Sequence, residues 1–199
     1  MSRSTLRPGD HVALTAEKPA AGGRMLARTE QGIVLVSGVL PGERVTAQVE
    51  RVGKGVVFAR AEHIHEPSID RREPSGDPAC GGLAFAHVAY PRQLRLKGEI
   101  IADALVRIAR VPCPAPIPVD GGAERGYRLR ARLHVHGSRV GFLREGTHLV
   151  CDPRPGGQLR DDTVDLLDRL GEQLAGLGMS QVRALELAED VPALSLIHI

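Results

Sequence analysis

"LPGERVTAQVERVGKGVVFARAEHI", residues 40–64, reads as two strands and the turn that joins them. Val45, Ala47 and Val49 alternate with Thr46, Gln48 and Glu50, the period-two pattern of a strand with one buried face. Gly53-Lys54-Gly55 supplies the turn, and Pro41-Gly42 marks another just ahead of the first strand. Upstream, "DHVALTA" (10–16), "AAGGR" (20–24) and "GIVLVSG" (32–38) extend the series of short strands and turns. That density of strands predicts a small closed or sandwich-like β domain over residues 1–65.

The pattern changes downstream. "EPSIDRREPSGDP" (66–78) is polar, proline-rich and aperiodic, a linker or irregular connection. "PRQLRLKGEIIADALVRIAR" (91–110) predicts a helix that opens on Pro91 and carries Leu94, Ile101, Leu105 and Ile108 on one stripe. "VPCPAPIPVDGG" (111–122) ends it, and Cys113 there reads as a small side chain only. In "YRLRARLHVHGSRVGFLREGTHLV" (127–150), Tyr127, Leu129, Ala131, Leu133 and Val135 point one way, and Arg128, Arg130, Arg132, His134 and His136 the other. Gly137-Ser138 turns the chain, and the return strand brings Arg139 and Arg144. Residues 160–178 predict a second helix, with Asp161, Asp162 and Asp165 near its start, Leu167, Leu170, Leu174 and Leu177 as its stripe, and Gly178 as C-cap. "VRALELA" (182–188) alternates again as a strand.

The 199 residues are 42% apolar but only 3% aromatic, without tryptophan, so the core must be Val, Leu, Ile and Ala. The net charge of +2 decides little; its distribution decides more. Residues 124–160 carry 8 Arg against 3 acids, while 161–199 carry 2 Arg against 8 acids. A basic middle beside an acidic end points to a polyanion surface at 124–160. Five consecutive outward positions on one strand are Arg or His, roughly 7 Å apart, and repel unless an anion neutralises them. Phosphates of an extended or looped RNA would do so, and the Arg fork also stacks on bases. The bland alternative is a solvated outer face, but Lys and mixed signs are commoner there. His134 and His136 share a face yet have no third metal ligand in view. Three cysteines at wide spacing make no disulfide framework. With no signal-peptide run at the N-terminus and no apolar stretch near 20 residues, the chain reads as soluble and cytoplasmic.

Residues 8–65 resemble a TRAM domain, a small β-barrel of the oligonucleotide-binding kind, through "GGRMLA" (22–27), "LPGERVTAQV" (40–49) and "VVFARAEHI" (56–64). The remainder resembles the bacterial TRAM-containing RNA uracil-5 methyltransferases. The matching residues are "CGG" (80–82), His87, Tyr90, "QLRLK" (93–97), "EII" (99–101), "YRLRARLHV" (127–135) and "GFLREGTHLV" (141–150), in order. The resemblance implies methylation of uracil carbon 5 in RNA with S-adenosylmethionine: a cysteine attacks carbon 6, and a carboxylate helps remove the proton. Those parts lie in a Rossmann-like C-terminal domain, and Cys80, Cys113 and Cys151 do not match the nucleophile's context. Many members read Cys-Gly-Gly-Cys, with two further cysteines holding a [4Fe–4S] cluster. Here Leu83 replaces the second cysteine of the pair, none precedes Cys80, and the fourth position falls near Gly156. Cys151 aligns with an apolar strand position, so Cys80 reads as a lone remnant kept for its turn, with no iron–sulfur cluster and no metal expected.

The expected fold class is β plus α/β. A five-stranded OB-like TRAM barrel occupies 1–65, a connection with the Cys-Gly-Gly segment and helix 66–123, and an incomplete α/β central RNA-binding domain 124–199, with the Rossmann-like catalytic domain absent. The abrupt apolar end is read as a truncated frame whose last residues, "SLIHI", are not native. On this reading the chain binds ribosomal or transfer RNA through Arg128, Arg130, Arg132, His134, Arg139 and Arg144, with Arg24, Arg44, Arg51 and Lys54 on the barrel, and holds no catalytic residue. Glu43 is structural, and the 91–110 helix belongs with the missing catalytic domain, its apolar stripe exposed. A stand-alone TRAM RNA-binding protein is the alternative; a radical enzyme would need a Cys-x3-Cys-x2-Cys cluster that the sequence lacks.

Overall fold

The computed structural model describes residues 6–113 and 116–189, and the backbone of 194–197. The readings of the first five residues and of the "SLIHI" tail beyond that backbone lie outside the described residues. Two compact units form. One takes the chain up to Glu73 together with Ala84–Gly121, the other Pro74–Leu83 together with the chain from Gly122.

The first unit holds strands β1 (His11–Thr15), β2 (Lys18–Pro19), β3 (Met25–Thr29), β4 (Gly32–Ser37), β5 (Arg44–Gly53) and β6 (Val56–Glu66). They form one sheet in the order β1-β5-β6-β4-β3-β2, in which only β4 and β6 run parallel. There are six strands where the sequence predicted five. The extra one, β2, has two residues, paired Lys18 to Leu26 and Pro19 to Met25, too short to show any alternation. The β5–β6 hairpin turns at residues 53–55 as expected, and Val45, Ala47 and Val49 are buried. A register shift between Val49 and Arg51 then ends the simple alternation, and Val52 is exposed. The core is aliphatic, led by Met25, Val34, Val36, Val39, Leu40 and Val45.

Helix α1 (Tyr90–Ala104) has Pro91 in its first turn, and a π-helical turn over Leu105–Ala109 follows. Arg110 closes it in the left-handed region, φ 56°, so the amide of Val111 reaches the Leu105 carbonyl at 3.0 Å. The helix buries Leu96 and Gly98 rather than the predicted stripe: Leu94 and Leu105 are half-buried, and Ile101 and Ile108 are exposed. Leu96 joins the sheet's core, which turns the stripe away from it. Gly98 sits where an added Cβ would lie 2.4 Å from the Ile117 carbonyl oxygen.

The second unit is an antiparallel sheet in the order β11-β10-β7-β8-β9. Its strands are β7 (Arg130–His136), β8 (Arg139–Leu143), β9 (Val150–Cys151), β10 (Ala184–Glu189) and β11 (Leu194–Ile197). Strands β8 and β10 flank β7 and so run parallel to each other, linked through helix α2 (Asp161–Gly176). The helix covers the face that carries Leu133, Val135, Val140, Leu185 and Leu187, and the Thr163 hydroxyl donates to the Glu189 carboxylate. Its buried stripe is Thr163, Val164, Leu167 and Gly171. Of the predicted stripe only Leu167 is buried; Leu170 and Leu174 are half-buried and Leu177 is exposed. A Schellman end closes α2: Gly178 at φ 66° donates to Ala175, and Met179 donates to Leu174. Tyr127 and Leu129, expected to face inward, are exposed. The ladder starts only at Arg130, and the Arg128 amide bonds instead to the loop carbonyl of Gln158.

Candidate nucleic-acid interface

With α2 on one face of the second sheet, the other face presents Arg130, Arg132, His134 and His136 of β7. Strand pairing sets Arg139 of β8 opposite His136, across a turn that Gly137 makes at φ 62°. Ala188, Glu186 and Ala184 of β10 lie opposite Arg130, Arg132 and His134. Glu186 adds an acid to this face: β7 has none of its own, but its neighbour places one opposite Arg132. Among the described residues, Arg130, Arg132 and Arg139 form no ion pair. Arg183 is exposed where the chain enters β10, but its carbonyl accepts from the Val135 amide, so it stands opposite Val135 at the end of the α2-covered face and not among these arginines.

Other expected contacts are engaged within the protein. Arg128 donates to the buried Gln158 side chain at 2.6 Å, and its guanidinium lies 5.1 Å from the Phe142 ring centre. Arg144 pairs with Asp77 at 2.7 Å. In the first unit, Arg24 donates to the Ala59 carbonyl at 3.0 Å and pairs with Glu50, and Arg44 pairs with Glu66 at 2.8 Å. Arg51 lies over the Phe58 ring, 3.4 Å from its centre, while Lys54 is exposed at the β5–β6 turn. The structure therefore gathers Arg130, Arg132, His134 and Arg139 on one open face and leaves Arg128 and Arg144 out of it.

Glu43 is 1% exposed and works inside the first unit. It accepts from the amides of Leu40 (2.8 Å) and Ser68 (2.9 Å), and Arg71 grips it through Nε (2.7 Å) and Nη2 (2.6 Å). Burial by itself would raise its pKa; the Arg71 fork and the two amides outweigh that and hold it below the ordinary glutamate value. Nearby, buried His87 donates through Nε2 to the Val39 carbonyl at 3.2 Å, and burial lowers its pKa, which favours the neutral ring.

The Cys-Gly-Gly turn corrects a further expectation. Cys80 is not a lone remnant: it is disulfide-bonded to Cys151, with Cα atoms 6.1 Å apart. Cys80 bridges to Arg144 just after β8, and β9 sets Cys151 opposite Phe142 in the same short hairpin. A separation of 71 residues hid the pair from any spacing argument. Leu83 and Gly156 stand where the resemblance placed two more thiolates, and they pack together, an added Cβ on Gly156 lying 3.1 Å from Leu83 Cδ1. This donor set does not fit an iron–sulfur cluster, and among the described residues no group of three or more His, Cys, Asp or Glu could hold a metal ion. The second unit does not fit S-adenosylmethionine either. Its sheet has only antiparallel pairings, and α2 opens on Asp161 and Asp162. Among the described residues no helix is long and apolar enough to cross a membrane.

Comparison with known proteins adds four findings. The TRAM domain family matches residues 7–61. The 23S rRNA (uracil(1939)-C(5))-methyltransferase RlmD of Bordetella avium is 34% identical over 187 residues, 88% of this chain and 39% of its own length. An uncharacterised RNA methyltransferase of Streptomyces coelicolor is 40% identical over 161 residues, 71% of this chain and 35% of its own. The chain thus spans about two fifths of the length of such relatives. Among solved structures, the Pyrococcus abyssi tRNA (uracil-54, C5)-methyltransferase in complex with S-adenosyl-L-homocysteine matches with a TM-score of 0.58. It is 20% identical over 92% of this chain and 44% of its own, a likeness of fold.

Proposed function

The chain belongs to the TRAM-containing RNA uracil-5 methyltransferase family, and we propose that it is the RNA-recognition part of such an enzyme, binding RNA without methylating it. The observation that carries this reading is the face of the second unit's sheet opposite α2, with Arg130, Arg132, His134 and Arg139, where the arginines form no ion pair among the described residues. The relatives act on a 23S rRNA uracil and a tRNA uracil, which suggests a structured RNA carrying a target uridine. Methyl transfer from S-adenosylmethionine would belong to the greater part of the relatives' length, which this chain does not match. A stand-alone RNA-binding module is the second reading.

Titrating the chain with a uridine-containing RNA stem-loop across a salt series tests the proposal. Three or four phosphates neutralised by the face give a log–log slope of about −2 to −3 at roughly 0.7 per single-strand contact. Arg130→Glu with Arg132→Glu should flatten that slope by more than about 1, and S-adenosylmethionine should leave the RNA unmethylated. An unchanged slope in the folded double variant removes the face from RNA binding. Methyl transfer by the chain alone overturns the division of labour.

We also propose that exposed apolar side chains of α1 and its continuation, Ile101, Val106, Ile108 and Val111, pack on the catalytic part of the full-length enzyme. The isolated chain should then associate at high concentration, and Ile101→Lys with Ile108→Lys should render it monodisperse by light scattering. A wild-type chain monodisperse at high concentration would count against this assignment.

A further inference from the structure

The segment Pro74–Leu83 belongs to the second unit although its sequence neighbours on both sides belong to the first. Short contacts hold it there. The Gly81 amide donates to Leu143 at 3.0 Å, the Glu145 amide to Ala79 at 2.7 Å, and the Gln158 side chain to Gly81 at 2.8 Å. Asp77 pairs with Arg144. The strand beside it, β9, has two residues, lies at the sheet's edge, and pairs with β8 only at Phe142–Cys151 and Leu143–Val150. A two-residue edge strand and a ten-residue excursion are the elements least fixed by the sheet itself. The disulfide joins these two, and Cys113 takes no part in it.

We propose that Cys80 and Cys151 are a reversible dithiol–disulfide site, a covalent clasp that fixes the Cys-Gly-Gly turn to β9 and makes the stability of the second unit depend on redox state. The disagreement with an iron–sulfur ligand set gains a chemical content: the turn is tied by a sulfur–sulfur bond instead of a metal. Cys80 is 4% exposed, whereas Cys151 is half-buried at the sheet edge, so exchange enters at the Cys151 sulfur. With glutathione disulfide as oxidant, the two thiols lose two protons and two electrons and form the Cys80–Cys151 bond. The glutathione S–S bond breaks, and two glutathione thiols take up those protons and electrons. Glutathione thiolate attacking Cys151 runs the sequence backwards.

The test uses the full chain equilibrated with glutathione disulfide, alkylated, and analysed by intact and peptide mass spectrometry. One alkylated cysteine, Cys113, is expected before reduction and three after, with a cross-linked peptide pair containing Cys80 and Cys151. Reduction should lower the thermal midpoint of the second unit on the order of 10 °C. The midpoint of Cys151→Ser should not respond to reductant. Three alkylated cysteines after oxidation, a bond to Cys113, or a midpoint unmoved by reduction overturns the proposal. If the serine variant does not fold, the thiol count and midpoint of the wild-type chain decide alone. None of these readings involves RNA, so they stand or fall apart from the proposed function.

Discussion

Glu43→Ala is expected to destabilise the first unit by about 3–5 kcal/mol, the range for removing one partner of a buried ion pair. The carboxylate is fully enclosed and satisfies the Leu40 and Ser68 amides and both arms of Arg71. Its loss orphans two donors and leaves a guanidinium with side-chain exposure of 21%, bonded to the Gly38 carbonyl but without its counter-charge. Glu43→Gln keeps the shape and one acceptor and should cost less. The pH dependence has a definite sign. Because the folded pKa of Glu43 lies below the ordinary value, its contribution is complete above the unfolded glutamate pKa and fades as pH falls through the folded one. Urea melts at pH 7 should therefore show the full gap between wild type and alanine variant, and melts in the acid range a smaller one. An equal gap at both would mean that the charge of Glu43 is not what stabilises the unit.

The second large effect concerns a helix contact. A Cβ at Gly171 would lie 2.0 Å from the Ser138 carbonyl oxygen, 3.0 Å from its carbon and 3.2 Å from Val140 Cγ2. Most of that obstruction is backbone at the β7–β8 turn, which cannot rotate away as a side chain would. Gly171→Ala is expected to cost about 3 kcal/mol despite the better helix propensity of alanine. Gly176→Ala, on the same helix with nothing within 4 Å, should be neutral or stabilising by at most about 1 kcal/mol. Paired chemical denaturation curves check both. Two similar small effects would show that α2 does not approach the turn this closely.

The sequence was most legible where local pattern and burial coincide. Val45, Ala47 and Val49, and Ala131, Leu133 and Val135, alternate because one sheet face carries a core, and that core is buried in each unit. The arginines of β7 followed from the same alternation. What stayed hidden depended on distant partners. Leu96, not the Leu94–Ile108 stripe, enters the core, because the contact is set by the sheet beneath the helix rather than by the helix's own period. Arg128 looked like another outward residue, but buried Gln158 thirty positions on captures it before the ladder begins. Glu186 reaches the open face only through a pairing between β7 and β10, and the pairing of Cys80 with Cys151 has no local signature at all.

The interrupted build of the second unit has a consequence in time. Ribosomes add roughly 5–20 residues per second, so the 71 residues between Cys80 and Cys151 take about four to fourteen seconds to appear. Residues 74–83 leave the ribosome well before any strand they will pack against. The first unit, whose pieces end at Gly121, is fully synthesised earlier. Maturation of the second unit is therefore a late event, and a shortened version starting at Gly122 would lack Cys80, Gly81 and Leu83 from the outset. A minimal second unit would have to carry 74–83 joined to its own end.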